Sequence, residues 1–179
     1  MDSVNSMSDP RPVIDYYKNW ETEAIRADLD TKRFNYSVLC CNVQGDFNIG
    51  SIIRNANAFL ASKVLIYGKR KWDRRGAVGS HHYLNLQHVD KVDDLSPIKT
   101  SFVVAVDNCA GAVPITEFEW PQDEHVVMIF GEEAVGIPED IVGMADAVVS
   151  IPQYGACRSI NVACASAIAM QDYCRKVVT

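Results

Sequence analysis

The sequence lacks a long apolar run, although 48% of its residues are hydrophobic. A membrane-spanning helix needs roughly 18 to 20 consecutive apolar residues, and no stretch approaches that length. The first residues, Met1–Pro12, are polar and contain no apolar core of a secretory signal. We therefore expect a cytoplasmic protein without a membrane partner.

The sequence also lacks the spacing of a metal site. Its six cysteines form no Cys-x-x-Cys pair and stand mostly within apolar runs, as small, buried, reduced side chains do. They are Cys40, Cys41, Cys109, Cys157, Cys164 and Cys174. Two adjacent histidines, His81 and His82, come without further ligands, which makes a poor metal site. We expect no metal.

An excess of positive charge is missing as well. Lys and Arg number 17 against 23 Asp and Glu, which gives a net charge of −6. Indiscriminate nucleic-acid binding is driven by the neutralisation of phosphates, so this balance argues against it. Any contact with RNA must be concentrated in a local patch.

Short β-branched runs alternate with helical or glycine-bearing segments from residue 36 onward. Runs of this length and apolarity predict an α/β fold with a mostly parallel sheet flanked by helices. The predicted strands are Tyr36–Val43, Lys63–Tyr67, Phe102–Asp107, Val126–Phe130 and Ala147–Ile151. With 179 residues, the chain is long enough for one such core but short for two independent domains.

Amphipathic spacing at both ends of the chain predicts helices. Arg11–Arg33 indicates one or two helices laid on the domain. We therefore divide the chain into an N-terminal helical extension, residues 1–35, and a main domain, residues 36–179. Ser159–Val177 predicts the last helix, with a side that suits either the core or a subunit interface. That side is formed by Ile160, Ala163, Cys164, Ala167 and Ile168.

A further helix is predicted to begin near Asn48, which can cap it. Its apolar residues follow the spacing of one buried face: Ile49, Ile52, Ile53, Ala56 and Leu60. At about 100° per residue, Arg54 lies away from that face. Its guanidinium should therefore point to a cleft, a partner or solvent.

Three segments follow predicted strands at their carboxyl ends, where open α/β sheets bind ligands. They are NIGSIIRNANAF from Asn48, FGEEAVGIP from Phe130 and IPQYGACRSINV from Ile151. Taken singly, each has a purely structural interpretation. Glycine after a strand is ordinary turn chemistry, and Asn48 could simply be a helix cap.

Together and in this order, the segments resemble the three signature motifs of the SpoU-type, or SPOUT, RNA 2′-O-ribose methyltransferases. The patterns N-x-G-x-x-x-R-x-A, G-x-E-x-x-G and I-P…G…S-[LI]-N-V are matched at Asn48, Gly50, Arg54, Ala56, Gly131, Glu133, Gly136, Ile151, Pro152, Gly155, Ser159, Asn161 and Val162. The resemblance runs from about Tyr36 to the C-terminus. It implies a C-terminal deep trefoil knot, a homodimer and S-adenosyl-L-methionine as cofactor, with no metal.

Neither the knot nor the cofactor follows from periodicity, which alone predicts an open Rossmann-like sheet. A Rossmann methyltransferase is disfavoured separately, because no Gly-x-Gly-x-x-Gly turn follows the first predicted strand.

The resemblance also implies cofactor-binding residues, which would act largely through main-chain atoms. They are Asp107, Phe130, Gly131, Gly136, Ile151, Gln153, Gly155, Ser159 and Ile160. The three glycines leave room for backbone groups to close on the cofactor. Asp107 has an alternative interpretation, since an aspartate at a strand end is more often a turn former.

The family's usual account of catalysis makes Arg54 the proton acceptor, reaching the partner subunit's cofactor across the dimer. A guanidinium is effectively always protonated in proteins. We prefer Arg54 as an electrostatic clamp on the developing alkoxide and adjacent phosphate, with the proton leaving through Ser159, a phosphate oxygen or water. Asn48 and Asn161 would orient Arg54 and the loop of Ser159. Glu133 would hold backbone amides or the arginine, or is a carboxylate favoured at a helix N-terminus.

RNA contacts are expected in one basic patch. It comprises Lys69, Arg70, Lys71, Trp72, Arg74 and Arg75. Five cations around one indole suit phosphate contact combined with base stacking, and a solvated loop is the alternative. Arg158, which the motif does not require, is a further candidate for RNA phosphate.

The sequence thus predicts an S-adenosylmethionine-dependent RNA 2′-O-ribose methyltransferase. Transfer RNA is the first candidate substrate, because small family members without a separate RNA-binding domain often act on it, and ribosomal RNA stays open. Two other hypotheses are a non-catalytic SPOUT-fold RNA-binding module and a SPOUT enzyme that methylates a base. The presence of Arg54, Ser159 and Asn161 disfavours the first, and the same motif residues together with Asn48 disfavour the second.

Overall fold

A parallel sheet forms the centre of the computed structural model, which describes residues 9–42, 47–133 and 135–178. Within these residues it has seven strands: β1 (Phe34–Asn42), β2 (Ala61–Gly68), β3 (Leu86–Val89), β4 (Phe102–Val106), β5 (Val113–Pro114), β6 (Val126–Phe130) and β7 (Ala147–Ser150). Their order is β3-β2-β1-β6-β4-β7-β5, and every pairing between them is parallel. The predicted α/β class with a mostly parallel sheet is confirmed.

The five predicted strands correspond to β1, β2, β4, β6 and β7. The two strands that the sequence did not predict are both at edges of the sheet: β3 is four residues long and β5 only two. Such short, half-exposed segments carry too little apolar pattern to be recognised. Of the predicted segments, residues 1–8, Val43 and Thr179 lie outside the described residues.

Helices cover both faces of the sheet. They are α1 (Thr22–Asp30), α2 (Asn48–Ala58), α3 (Glu139–Val142) and α4 (Val162–Tyr173), which continues as a wider turn over Cys174–Val178. Short 3-10 segments lie at Asp15–Tyr17, Arg74–Ala77, Ser80–Tyr83 and Val92–Thr100. Within Arg11–Arg33, where one or two helices were predicted, the structure has one short 3-10 turn and one α-helix.

The core lies on both faces because successive side chains of a strand point to opposite sides. On β1, Val38 and Cys40 pack on the side of α2 and α4, whereas Leu39 and Cys41 pack against the other side. That second side is covered by α3 and the Val92–Thr100 segment. The two central strands, β1 and β6, are therefore almost wholly buried.

The predicted bounds of two helices need correction. The N-cap of α2 is Phe47, and Asn48 is the first helical residue, with its side chain turned to another segment. Leu60 lies beyond the helix in a left-handed conformation, with φ of 51°. The last helix begins at Val162 rather than Ser159, because the side chain of Asn161 caps it and Ser159 remains in the preceding loop.

The predicted side of the last helix, which suited either the core or a subunit interface, is divided between buried and exposed residues. The buried residues of α4 are Ala163, Ser166, Ala169, Met170 and Tyr173. Of the predicted side, Cys164 and Ile168 are exposed. The buried side includes Ser166 and Ala163, which accept hydrogen bonds from Asn55, and Tyr173. The apolar pattern of a nearly all-apolar segment does not indicate which side is buried.

The extension packs on the main domain through a small cluster of its own. Tyr17 and Ile25 are buried against Tyr83, and the Tyr17 hydroxyl donates to Asp28 Oδ2 at 2.6 Å. The Arg33 guanidinium donates to the carbonyl of Tyr83 at 2.7 Å. These contacts place the extension beside the Ser80–Tyr83 turn.

The expectation that the cysteines are buried was wrong for half of them. Cys109, Cys157 and Cys164 are exposed, Cys174 is half-buried, and only Cys40 and Cys41 are buried. All six are free thiols. Burial raises the pKa of the Cys41 thiol to about 12, so that thiol is inert at neutral pH. Across the part of the chain that the structure describes, no helix combines the length and apolarity of a membrane span.

Candidate functional site

A cleft opens at the carboxyl ends of β4, β6 and β7. The loops that follow these strands supply its walls, together with the first turns of α4. Its lining residues are Val106, Asp107, Asn108, Gly131, Glu132, Glu133, Gly136, Ile137, Ile151, Gln153, Ser159, Ile160, Val162 and Ala165. The second and third sequence motifs thus meet in one place, at the sheet edge where ligands bind in this class of fold.

A hydrogen-bond network joins all three motifs beside this cleft. The amide nitrogen of Asn161 donates to Asn48 Oδ1 at 2.9 Å and to Glu133 Oε1 at 2.6 Å. The Asn161 oxygen accepts from the backbone nitrogens of Ala163 at 2.9 Å and Cys164 at 3.3 Å, which caps α4. One asparagine therefore fixes the start of α2, the β6 loop and the start of α4 relative to one another.

The loop after β6 can close tightly only because two of its residues are glycines. A Cβ on Gly131 would lie 2.4 Å from the carbonyl carbon of Gly136. Gly136 itself has φ of 78°, which disfavours any other residue. The backbones of Glu132 and Gly136 are hydrogen-bonded to each other in both directions. These contacts hold Gly131 and Glu132 against Gly136 and Ile137 at the wall of the cleft.

The cleft is acidic. Asp107, Glu132 and Glu133 line it, whereas no Lys or Arg does so among the residues described. Its apolar side chains, Ile137, Ile151 and others, offer a surface for a flat ring. This combination favours a ligand with a positive charge and an aromatic group.

Most of the residues predicted to bind a cofactor line the cleft: Asp107, Gly131, Gly136, Ile151, Gln153, Ser159 and Ile160. Two predicted residues do not. Phe130 is fully buried in the core at the end of β6, so only its main chain could face a ligand. Gly155 lies on the exposed part of the loop after β7, with open space around it.

Arg54 is separated from this cleft in the single chain. It is exposed on α2 and has no hydrogen-bond or ion-pair partner among the described residues. It lines a different cavity, between α2 and the N-terminal extension. A site that uses Arg54 together with the cleft therefore needs a second chain or a substrate that spans the two.

The basic patch lies against the same helix. A Cβ on Gly50 would lie 2.6 Å from the carbonyl oxygen of Asp73, so this motif glycine lets the patch approach α2. Lys69, Arg70, Lys71, Arg74 and Arg75 are all exposed. Arg54 is one helical turn beyond Gly50, on the same side of α2.

Two features distinguish the patch from a surface of fully exposed, unpaired cations. Arg75 forms an ion pair with Asp73 at 2.5 Å and lies over the Phe47 ring. Trp72 is half-buried against the core, and Arg74 lies 5.9 Å from its ring centroid. The indole thus packs between the core and Arg74 and does not project into solvent as a surface for base stacking. Arg158 is exposed in the loop after β7, where Asn108 donates to its carbonyl at 2.8 Å.

The sequence reasoning missed two polar residues that couple α2 to α4. Asn55 donates to the carbonyl of Ala163 at 2.8 Å and to Ser166 Oγ at 3.0 Å. Asn55 stands seven residues after Asn48, two helical turns on the same face. That repeat of asparagines was the signal in the sequence. Glu132 was not predicted either, because the motif pattern specifies Glu133 and leaves position 132 open.

These observations define an α/β protein with an acidic, glycine-walled ligand cleft and a separate, exposed arginine. Comparison with known proteins gives the family. The chain belongs to the SpoU rRNA Methylase family, whose model matches residues 35–171. The resemblance stated from the sequence motifs is confirmed.

Named relatives and solved structures agree with this assignment. The tRNA (guanosine(18)-2′-O)-methyltransferase of Aquifex aeolicus is 26% identical over 153 residues, which cover 83% of this chain and 72% of the relative. The crystal structure of the A. aeolicus TrmH/SpoU tRNA modifying enzyme superposes with a TM-score of 0.74 at 27% identity, covering 87% of this chain and 81% of the other.

A third comparison includes a bound ligand. The structure of an AdoMet-bound rRNA methyltransferase from Sinorhizobium meliloti superposes with a TM-score of 0.73 at 26% identity. The match covers 87% of this chain but 61% of that one. Both tRNA and rRNA enzymes are therefore among the proteins that this chain resembles.

Proposed function

We propose that this chain transfers a methyl group from S-adenosyl-L-methionine to a ribose 2′-hydroxyl of RNA, with tRNA as the substrate. The observation that carries the proposal is the network of Asn161 with Asn48 and Glu133, which unites the three motifs at the rim of the acidic cleft. Membership of an RNA methylase family supports it. The first-named tRNA relative favours tRNA over rRNA.

The residues of the cleft fit the proposed cofactor. S-adenosylmethionine supplies a methyl group that its positive sulfonium has already activated. Asp107, Glu132 and Glu133 give the cleft the negative charge that complements a sulfonium and an amino group. At Gly131 the backbone of Gly136 and Ile137 leaves no space for a side chain, and without a side chain at this position the backbone of the turn can contact an adenosine.

The protein's part in the reaction is alignment and charge stabilisation. The ribose oxygen forms a bond to the methyl carbon as the bond from that carbon to sulfur breaks, and the hydroxyl proton leaves. Arg54 remains protonated and stabilises the developing alkoxide and a neighbouring phosphate. The proton passes to a phosphate oxygen or to water, directly or through the hydroxyl of Ser159, which is exposed at the cleft. Asn48, Asn161 and Glu133 position the loop that carries Ser159.

The proposal includes a homodimer, because Arg54 and the cleft are separate in one chain. Each protomer would supply Arg54 to the cleft of its partner. The exposed side of α4, with Cys164 and Ile168, offers an apolar surface for such an interface. The C-terminal knot, the division at residue 35 and action in the cytoplasm belong to the same proposal, and none of its steps needs a metal.

RNA would approach over the basic side of the molecule. The acidic cleft repels phosphate, so the exposed cations of the basic patch and Arg158 must supply the attraction. Binding that depends on a few phosphate contacts weakens steeply as salt rises.

The experiment that tests the function uses labelled S-adenosylmethionine with separate pools of tRNA and rRNA. A 2′-O-methyl group blocks alkaline cleavage of the adjacent phosphodiester. We expect label in tRNA and a single position that resists alkali. Binding of the cofactor by calorimetry without methyl transfer to either pool would instead favour a non-catalytic RNA-binding module.

A further inference from the structure

A second cavity lies between the N-terminal extension and α2, and we call it the extension cavity. Val13, Tyr17 and Leu29 line it from the extension, Asn57 and Ala58 line it from α2, and Tyr83 lines it from the Ser80–Tyr83 turn. The cofactor cleft shares none of its residues.

The walls of the extension cavity are mostly apolar and partly aromatic, with Asn57 and Ser80 among the polar residues that line it. The side-chain oxygen of Asn57 is buried and accepts no hydrogen bond from the described residues. A buried acceptor without a donor costs free energy that a bound donor recovers. The cavity therefore suits a flat, largely apolar ring that carries an N–H group, as nucleobases do.

The mouth of the cavity has the charge that a nucleotide needs. Arg54 is part of its lining and is free of ion pairs in the described chain. The exposed Arg74 begins the turn Arg74–Ala77, and both Ala77 and the following Val78 line the cavity. A nucleotide whose phosphate or ribose meets Arg54 has its base within reach of the cavity, since both belong to one nucleotide.

We propose that the extension cavity binds the base of the nucleotide whose ribose is methylated. Given the proposed function, on which this inference rests, Arg54 of one protomer acts on a ribose held at the partner's cofactor cleft. The base of that nucleotide then enters the cavity beside the same Arg54. The N-terminal extension is thereby a wall of the substrate site, and Asn57 contributes to the choice of base.

The test introduces a larger side chain at the exposed edge of the extension cavity. Ala58 is exposed and lines the cavity, whereas Ala24 is exposed on α1 and does not. Ala58→Phe should lower kcat/KM for tRNA by about tenfold or more through exclusion of the base. The affinity for S-adenosylmethionine, measured by calorimetry, should stay within about twofold. Ala24→Phe, the matched control, should change neither quantity.

Other outcomes contradict the inference. It is overturned if Ala58→Phe methylates tRNA as fast as the unmodified protein does. It is also overturned if Ala58→Phe changes only the sedimentation of the protein, because the cavity would then be covered by a second copy of the chain. Should Ala58→Phe fail to fold, Asn57→Ala decides: the inference requires a reduced kcat/KM with unchanged cofactor affinity, and an unchanged kcat/KM refutes it.

Failure of the proposed function is distinguishable from failure of the inference. If the unmodified protein methylates no RNA, the four nucleoside 5′-monophosphates are titrated against it, and the backbone amide resonances of Ala58 and Val78 are followed by NMR. Shifts for at least one nucleotide that disappear in Ala58→Phe support the cavity as a base site without catalysis. No shift with any of the four overturns it.

Discussion

Arg54 is the cationic side chain that the proposed reaction places at the ribose. If its task is to stabilise charge, a lysine at this position performs part of it, although it lacks the planar fork of a guanidinium. We expect Arg54→Ala to lower the single-turnover rate by about a thousandfold, and Arg54→Lys to be about tenfold faster than Arg54→Ala. Saturating cofactor and tRNA isolate the chemical step. Equal rates for the two variants would mean that charge stabilisation alone is not the role of Arg54.

Asp172 ties the C-terminal helix to the rest of the domain. Burial raises its pKa, but hydrogen bonds from Trp120, Arg175 and Lys176 outweigh burial, and the pKa lies below its ordinary value of 3.8. The stabilisation is therefore complete above pH 3.8 and decreases as the pH falls toward the lower pKa of the folded state.

Replacement of Asp172 by Asn tests this pH dependence. Asp172→Asn should reduce the free energy of unfolding near neutral pH by about 1 kcal/mol, a modest value because the Arg175 side chain is 61% exposed and solvent screens its ion pair with Asp172. The difference from the unmodified protein should shrink as the pH falls below 3.8. Urea unfolding across the pH range measures it, with exposed Asp123→Asn as control. A difference that is constant with pH would contradict the assigned ion pairs.

The turn after β6 is the element whose shape defines the cleft. Gly131→Ala places a methyl group against the backbone of Gly136. We expect a loss of roughly 1 to 3 kcal/mol in the free energy of unfolding and cofactor binding weakened by about tenfold or more. Gly155→Ala meets open space and should stay within about 0.5 kcal/mol. Equal effects of the two substitutions on cofactor affinity would contradict the assigned shape.

Sequence patterns predicted the principal strands and motif loops because these features depend on local order. The run of apolar residues specifies β1, and the glycines at 131 and 136 specify a tight turn. The partners of Asn161 and the orientation of α4 were beyond such patterns, since both depend on side chains from segments distant in sequence. Asn48 shows the difference: the motif singled it out in the sequence, but its hydrogen bond with Asn161 is visible only in the folded structure.

In the proposed dimer, each active site contains residues from both chains. Arg54→Ala retains its cleft but offers no arginine, whereas Asn161→Ala retains Arg54 but loses the network at its cleft. Mixing the two inactive variants should form heterodimers with one complete site. After subunit exchange, about a quarter of the activity of the unmodified protein is expected, since half of the dimers are mixed. A mixture that is no more active than either variant would contradict a shared site.

The claim that the whole molecule methylates ribose, and not a base, is tested most directly by mass spectrometry of the product. Transfer RNA methylated by the protein is digested to nucleosides, and the modified nucleoside is fragmented at its glycosidic bond. For tRNA treated with the unmodified protein, we expect the added methyl group to be lost together with the sugar. For tRNA treated with Arg54→Ala, we expect no such methylated nucleoside. A methyl group that stays with the base would contradict it.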